Sequence, residues 1–523
     1  MAPRARHSEK LTERERAVHL LNRFSFGPRA GQVDNVLRYG VDRWFESQLD
    51  PATVSDSTLD SSLEPLESLG MEMGDLSRNY AYEGQRGSVD RKELKRLRER
   101  RRQPKKEMIA SIFLRASQGN RQLQEVMCRF WRNHFNVSYT KGAKVDLLIT
   151  GYERDVVQAH ALGRFGNMLH ASAAHPAMLV YLDNALSRRP PTAQELNEIE
   201  VRTRLRTGSS QRAEEEVEIA IQRGLNENYA RELLELHTMG VDNGYKQKDV
   251  IEAANVLTGW TVDGGRRGTG SFKFRPDMHV MDKKRVLGKR IYNRKDPRTE
   301  GVEMIDMLVE RKETSHFIAT KLVRFLINDT PDPKLVDTIA LAFRRSDGDI
   351  KTVLRALYHS KPFFARENYQ AKFKTPFEFV VSTLRATNAQ VTKMNTLVSW
   401  ISDMGQPIYH CDPPTGWSDR AEAWLDPGVM ALRWQFAAEL ALGRMQGVTV
   451  PESFYDSVGD QHARLWQDTL TGQVLPGGAG ARTRGALART TDKYFRKSDE
   501  PRAQELGPEL LALLLGSPEF QRQ

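Results

Sequence analysis

The chain has 523 residues, 39% hydrophobic and 28% charged, with a net charge of +10 and a pI near 9.4. That is enough apolar content for a folded core and argues against wholesale disorder. The two cysteines, Cys128 and Cys411, exclude a disulfide framework and a cysteine-built zinc site, and no run of about eighteen apolar residues is there to cross a membrane.

The N-terminal MAPRARHSEKLTERER is charged and has no apolar segment behind it, which reads as a cytoplasmic chain without a secretory signal. Val18, Leu20, Leu21 and Phe24 predict a helix, Gly27 and Pro28 end it, and Val33 to Leu49 predict a second, with Gly40 as a candidate break. Residues 50–88 read as a loop or linker with weak helical character. A basic surface segment follows at 85–106, where Arg91 to Lys106 holds ten Lys or Arg against two Glu, so most of the excess charge is local. Helical patterns run over 108–116, Gln122 to His134, 146–162 and 164–172. Residues 187–223 form a charged insertion, part loop and part solvated helix.

Two clear helices are expected at 226–239 and 247–258, with Gly240 and Gly259 placed as C-terminal glycine caps. At 263–293 the pattern changes to short alternations, SFKFRPD and RVLGKRIYN, which predict a small β-hairpin near 270–292. Helices resume over 301–360, 375–388, 426–446 and 506–516. MGQPIYHCDPPTGWSD (404–419) is an ordered loop, and 470–488 a Gly-rich mobile stretch. The expected architecture is mainly α: one large helical domain over 1–523, helices packed on helices, with a minor β element.

The segments HLLNRFSFGP (19–28), FWRNHF (130–135), HALGRF (160–165), HPAMLVYLDN (175–184), NENYARELLELHTMGV (226–241), DVIEAANVLTGW (249–260), KLVRFLI (321–327), MGQPIYHCDPPTGW (404–417) and LLGSPEFQ (514–521) together resemble the bacterial family called domain of unknown function 1800, across nearly the whole chain. The family has no established activity. The resemblance implies an exported protein, and a partner from a second, sulfatase-like family (domain of unknown function 1501). Two features depart from the family pattern. No export signal is visible, and the family's His-Asp pair followed by Gly and Lys stands here as HVMDK (279–283).

The densest polar motif runs from Asn226 to His237. At 100° per residue Asn228, Arg231, Glu232 and Glu235 share one sector, and His237 lies nearly opposite Asn228. A carboxylate pair oriented by Arg231 suits acid–base work, with His237 as a proton shuttle. The same face is equally a solvated one, stitched by an Arg231–Glu235 pair. His134, His160 and His175 are candidate ligands of a divalent metal, or core histidines bonded to backbone. Asp183 and Asn184 read as a ligand-facing pair or a turn. Gln406 and Trp417, with Tyr409, on the stiff 404–417 loop suit sugar or peptide stacking, or packing over a core. Cys411 and His410 are neighbours in extended chain and point apart, which disfavours a nucleophile–base pair.

No GxxxxGK[ST], GxGxxG, GxSxG or HExxH occurs, so nucleotide, lipase-type and zincin chemistry is disfavoured. Three functions stay open. The first is a metal-assisted hydrolase or polymer-modifying enzyme built on the His/carboxylate cluster. The second is a non-catalytic binding or assembly protein. The third is contact of 91–106 with an anionic surface; nucleic acid is disfavoured because no aromatics interleave the charges.

Overall fold

The computed structural model describes residues 10–80, 90–222, 224–264, 269–459, 461–496 and 503–523. The start of the N-terminal segment, residues 85–89 of the basic stretch, residue 223 and residues 265–268 lie outside them. Helices take 66% of the chain, so helix-on-helix packing builds the core, as expected. Among the described residues no helix is long and apolar enough to cross a membrane.

Local chemistry starts many of the helices. Thr12, Thr192 and Thr375 each close a capping box with a Glu three residues on, and Pro176, Pro333, Pro376 and Pro427 occupy first helical positions. Gly40, at φ +101, splits the expected second helix into Gln32–Tyr39 and Val41–Gln48. The described part of the 50–88 stretch, residues 50–80, is more ordered than its polarity suggests, and 81–88 lie outside the described residues. It holds helices Ser57–Leu63 and Met73–Tyr80, anchored by the buried side chains of Leu59 and Leu76. From Arg91 on, the basic run joins the next helix without a break. Arg91–Gln118 is one helix of 28 residues, about 42 Å long at 1.5 Å per residue. The charged insertion is a pair of packed helices, Ala193–Thr207 and Ser210–Gln222.

Two of the three small ladders lie in or directly beside the stretch where the alternation placed them. Trp260–Val262 pairs antiparallel with Phe272–Phe274, and Lys284–Val286 with Lys289–Ile291. Leu287 and Gly288 both have positive φ, the conformation that closes a tight two-residue hairpin. A third small ladder, Gln390–Val391 with Val448–Thr449, carries no alternation long enough to foresee. Nor is 470–488 one mobile stretch: helices Trp466–Val474 and Ala481–Phe495 cover most of it, and Leu470 and Leu487 are buried.

The Gln122–His134 helix runs through the interior. Trp131, Phe135 and Phe165 pack as an aromatic cluster around its C-terminal half. Two π-helical turns lie beside it, Glu153–Gln158 and Leu233–Thr238. Such turns are rare and frequent at functional sites.

Candidate functional site: the cleft beneath the 404–417 loop

Residues 129, 132, 133 and 136 recur at i, i+3, i+4 and i+7, one face of the Gln122–His134 helix and its exit. That face floors a cleft roofed by Gln406, Tyr409 and Trp417. The cleft spans about 500 Å³ including its open mouth. It is open to solvent and small, with room for one group of a ligand and not for a large one.

Buried carboxylates hold the floor rigid. Arg132 donates to both oxygens of Glu153, from Nε at 2.8 Å and Nη2 at 2.6 Å. The Tyr409 hydroxyl donates to the same carboxylate at 2.6 Å, and Gln158 Nε2 at 3.2 Å. Burial pushes the Tyr409 phenol well up and Glu153 adds to it. Burial also opposes the Arg132 charge, but Glu153 outweighs it and raises the guanidinium pKa. Arg129 lies 3.2 Å from Glu378 and donates to the Thr375 hydroxyl at 3.0 Å. Behind this layer burial pushes the Glu125 carboxyl up to about 7.

The roof is stitched to the same helix. Asn133 accepts from the Trp417 N–H at 2.7 Å and donates to the Trp417 carbonyl at 2.8 Å. Asn136 Nδ2 donates to the carbonyls of Cys411 and Pro413. Gly416, at φ +73, presses so close that a Cβ there would lie 2.4 Å from the Asn133 carbonyl oxygen. The Gln406 carbonyl oxygen accepts from Phe377 N–H at 2.9 Å, which leaves its –NH2 end as the donor available to the cleft. Trp417 is half-buried, with Trp424 behind it at 6.2 Å between ring centroids.

A family model described as a protein of unknown function (DUF1800) matches residues 19–522. The chain belongs to that family. No curated protein and no solved structure matches it. The DUF1800 match takes in the whole cleft, the Glu232 helix and every histidine singled out in the sequence.

The structure does not gather those histidines into one DUF1800 centre. Among the described residues no group of three or more His, Cys, Asp or Glu is placed to hold a metal ion. His134 and His237 are close, with ring centroids 6.4 Å apart, but both are sealed among aromatic rings, and His134 Nε2 is bonded to the His237 carbonyl at 3.1 Å. Burial pushes His237 down to about 3 and His134 well below its ordinary value. His175 caps the Pro176–Tyr181 helix, its Nδ1 accepting from Ala177 N–H at 3.1 Å, and burial lowers it to about 4. His160 is half-buried just past the Glu153–Gln158 turn.

The motif at 226–237 divides. Arg231 bridges Glu227 and Glu235, each at 3.4 Å, and donates to Gln247 at 2.8 Å, as a partly exposed stitched face does. Asn228 donates to the Leu182 carbonyl. The wheel drawn at 100° per residue also fails past Glu232, because Leu233–Thr238 is a π turn. Glu232 stands apart. It is half-buried and makes no hydrogen bond or ion pair among the described residues, and burial followed by Glu235 pushes its carboxyl up against the opposing charge of Arg231. Asp183 pairs with Lys141 at 2.6 Å, and buried Asn184 donates to the carbonyls of Leu257 and Trp260. The Cys411 thiol is pushed by burial up to about 11, so it is not a ready nucleophile.

Sequence reasoning missed Arg129, Arg132, Glu153 and Glu378. The i, i+3, i+4, i+7 recurrence of Arg and Asn on an otherwise apolar helix was the available signal. It was hidden because Glu153 and Glu378 are remote in sequence.

Proposed function

We propose that this chain is a binding protein whose cleft seats one unit of a neutral, polyhydroxylated polymer, a glycan. The observation that carries this reading is the charge balance of the cleft. Its two guanidiniums are each matched by a buried carboxylate, Arg132 by Glu153 and Arg129 by Glu378. An anion would have to compete with those partners, whereas a neutral hydroxyl needs only a spare donor or acceptor. The half-buried Trp417 indole suits the C–H face of a sugar ring, and the Gln406 amide supplies a directional donor. The cleft opens to solvent, so a sugar unit seated there can belong to a longer chain. Titration calorimetry with neutral oligosaccharides tests this. Binding should be insensitive to salt and weaken about tenfold or more in Trp417→Ala. Binding that collapses with salt, or that ignores Trp417→Ala, would point to another ligand class or site.

A second reading rests on Glu232. A half-buried carboxyl raised by its surroundings is suited to donate a proton, as a hydrolase or polymer-modifying enzyme requires. Under this reading Glu232→Gln keeps its melting temperature and loses release of reducing ends from the bound oligosaccharide. Metal analysis of the purified protein tests the metal-assisted form of it. A sulfatase-like partner belongs to either reading, and co-purification tests it.

A further inference from the structure

The departure HVMDK leads to a different place. Asp282 is exposed, but His279 is fully buried and stands in a triangle with Lys284 and Glu300, both only 2% exposed. Lys284 Nζ lies 2.5 Å from Glu300 Oε2 and 2.9 Å from His279 Nε2, and His279 Nε2 lies 3.2 Å from the same Oε2. One imidazole nitrogen thus touches both an amine and a carboxylate oxygen.

The tautomer is fixed by the surroundings. His279 Nδ1 is 2.8 Å from the Thr258 carbonyl, which can only accept, so Nδ1 carries the proton and Nε2 presents its lone pair to the lysine. The other oxygen of Glu300 accepts from Asn293 N–H at 2.7 Å. Glu300 is the second residue of the Thr299–Glu310 helix, where backbone N–H groups favour negative charge. Phe274 stacks edge-on over the histidine, and the Trp260 ring packs against Gly301, where a Cβ would come within 2.3 Å. The triangle is therefore dry and held from all sides.

We propose that Lys284 and Glu300 condense into an amide crosslink that ties the second hairpin to the helix behind it. His279 Nε2 takes a proton from the ammonium and passes it to Glu300 Oε2, 3.2 Å away, so that a free amine faces a neutral carboxyl and attacks Glu300 Cδ. Negative charge then gathers on Oε1, facing Asn293 N–H. The Nζ–Cδ bond forms and the Cδ–Oε2 bond breaks. Two lysine protons leave with Oε2 as water, relayed through His279, which ends neutral as it began. The reactants are one ammonium and one carboxylate, the products one amide and one water, and no other reagent is required. Two physical factors drive the step. The groups are fixed at contact, which removes the entropy of bringing them together. Amide formation also removes a buried ion pair, whose desolvation is costly.

Intact mass of the folded, then denatured, wild-type protein reads the outcome. We expect a mass about 18 Da below the sequence value, one water. Tryptic digestion should yield Lys284–Arg285 joined to the peptide 299–311. Lys284→Arg, which cannot condense, should show no such loss, and His279→Gln should form the link slowly or not at all. The unmodified mass in wild type overturns the proposal. So does a water loss that maps elsewhere, for example to a succinimide at Asp347–Gly348.

Discussion

Acidification from about pH 7.5 to about 5.5 shows whether the histidines are sealed in the core or open to a ligand. His19, His134, His175 and His237 are buried, and burial depresses all four, His175 to about 4 and His237 to about 3. In the fold they stay neutral over this interval, while in the unfolded chain each takes up a proton near the ordinary 6.5. The unfolded state then binds more protons, so stability falls as the pH falls. One pH unit below the unfolded value costs about 1.4 kcal/mol per histidine, or about 5 kcal/mol for four. Glu125 acts in the opposite sense. Its carboxyl, raised to about 7, takes up a proton in the fold first and returns about 2 kcal/mol. Lys374, lowered by burial to about 7, adds about 1 kcal/mol of loss, so the net loss is about 4 kcal/mol. At an unfolding entropy of roughly 1 kcal/mol/K for a chain of this length, Tm drops by about 4 °C in differential scanning calorimetry. A Tm that holds or rises refutes the reasoning. So do imidazole NMR signals from these four that titrate near 6.5 in the folded protein.

Glu153→Gln strands a buried guanidinium and should cost about 3–5 kcal/mol in urea unfolding, because Arg132 then lacks its counter-charge. Gly416→Ala forces a side chain onto Asn133 at a backbone angle that disfavours one. It should destabilise by about 1–3 kcal/mol and weaken glycan binding, with an unchanged urea midpoint as the contrary result. Arg231→Ala should change stability by less than about 1 kcal/mol, since its ion pairs are partly exposed. Asn184→Ala orphans two carbonyls next to the first β-ladder and should cost about 1–3 kcal/mol by the same urea measurement.

The helices were readable because each carries its own instructions. Thr375 with Glu378, Pro376 at the first position and Asn388 at the end delimit one helix without reference to anything else. The β-hairpin was readable for the same reason, from alternation around Leu287–Gly288. Residues 50–80 and 470–488 misled because Leu59, Leu76, Leu470 and Leu487 are buried against other helices of the chain. For the site, Gln406 and Trp417 were legible from the stiff loop that carries them. The histidines were legible as half-apolar positions, but their destination was not. His175 spends a nitrogen on a helix cap and His134 meets a carbonyl, and both partners are set by packing. The Lys284–Glu300 contact joins residues on different elements, and only the folding of the hairpin against its helix brings them together.

Calorimetric titration of the wild-type protein and Trp417→Ala with one neutral oligosaccharide, at low and high ionic strength, bears most directly on the claim that the charge-balanced cleft is a sugar site. A dissociation constant indifferent to salt and at least about tenfold weaker without the indole is the predicted result. Heat from an acidic ligand alone, fading as salt is added, would contradict it.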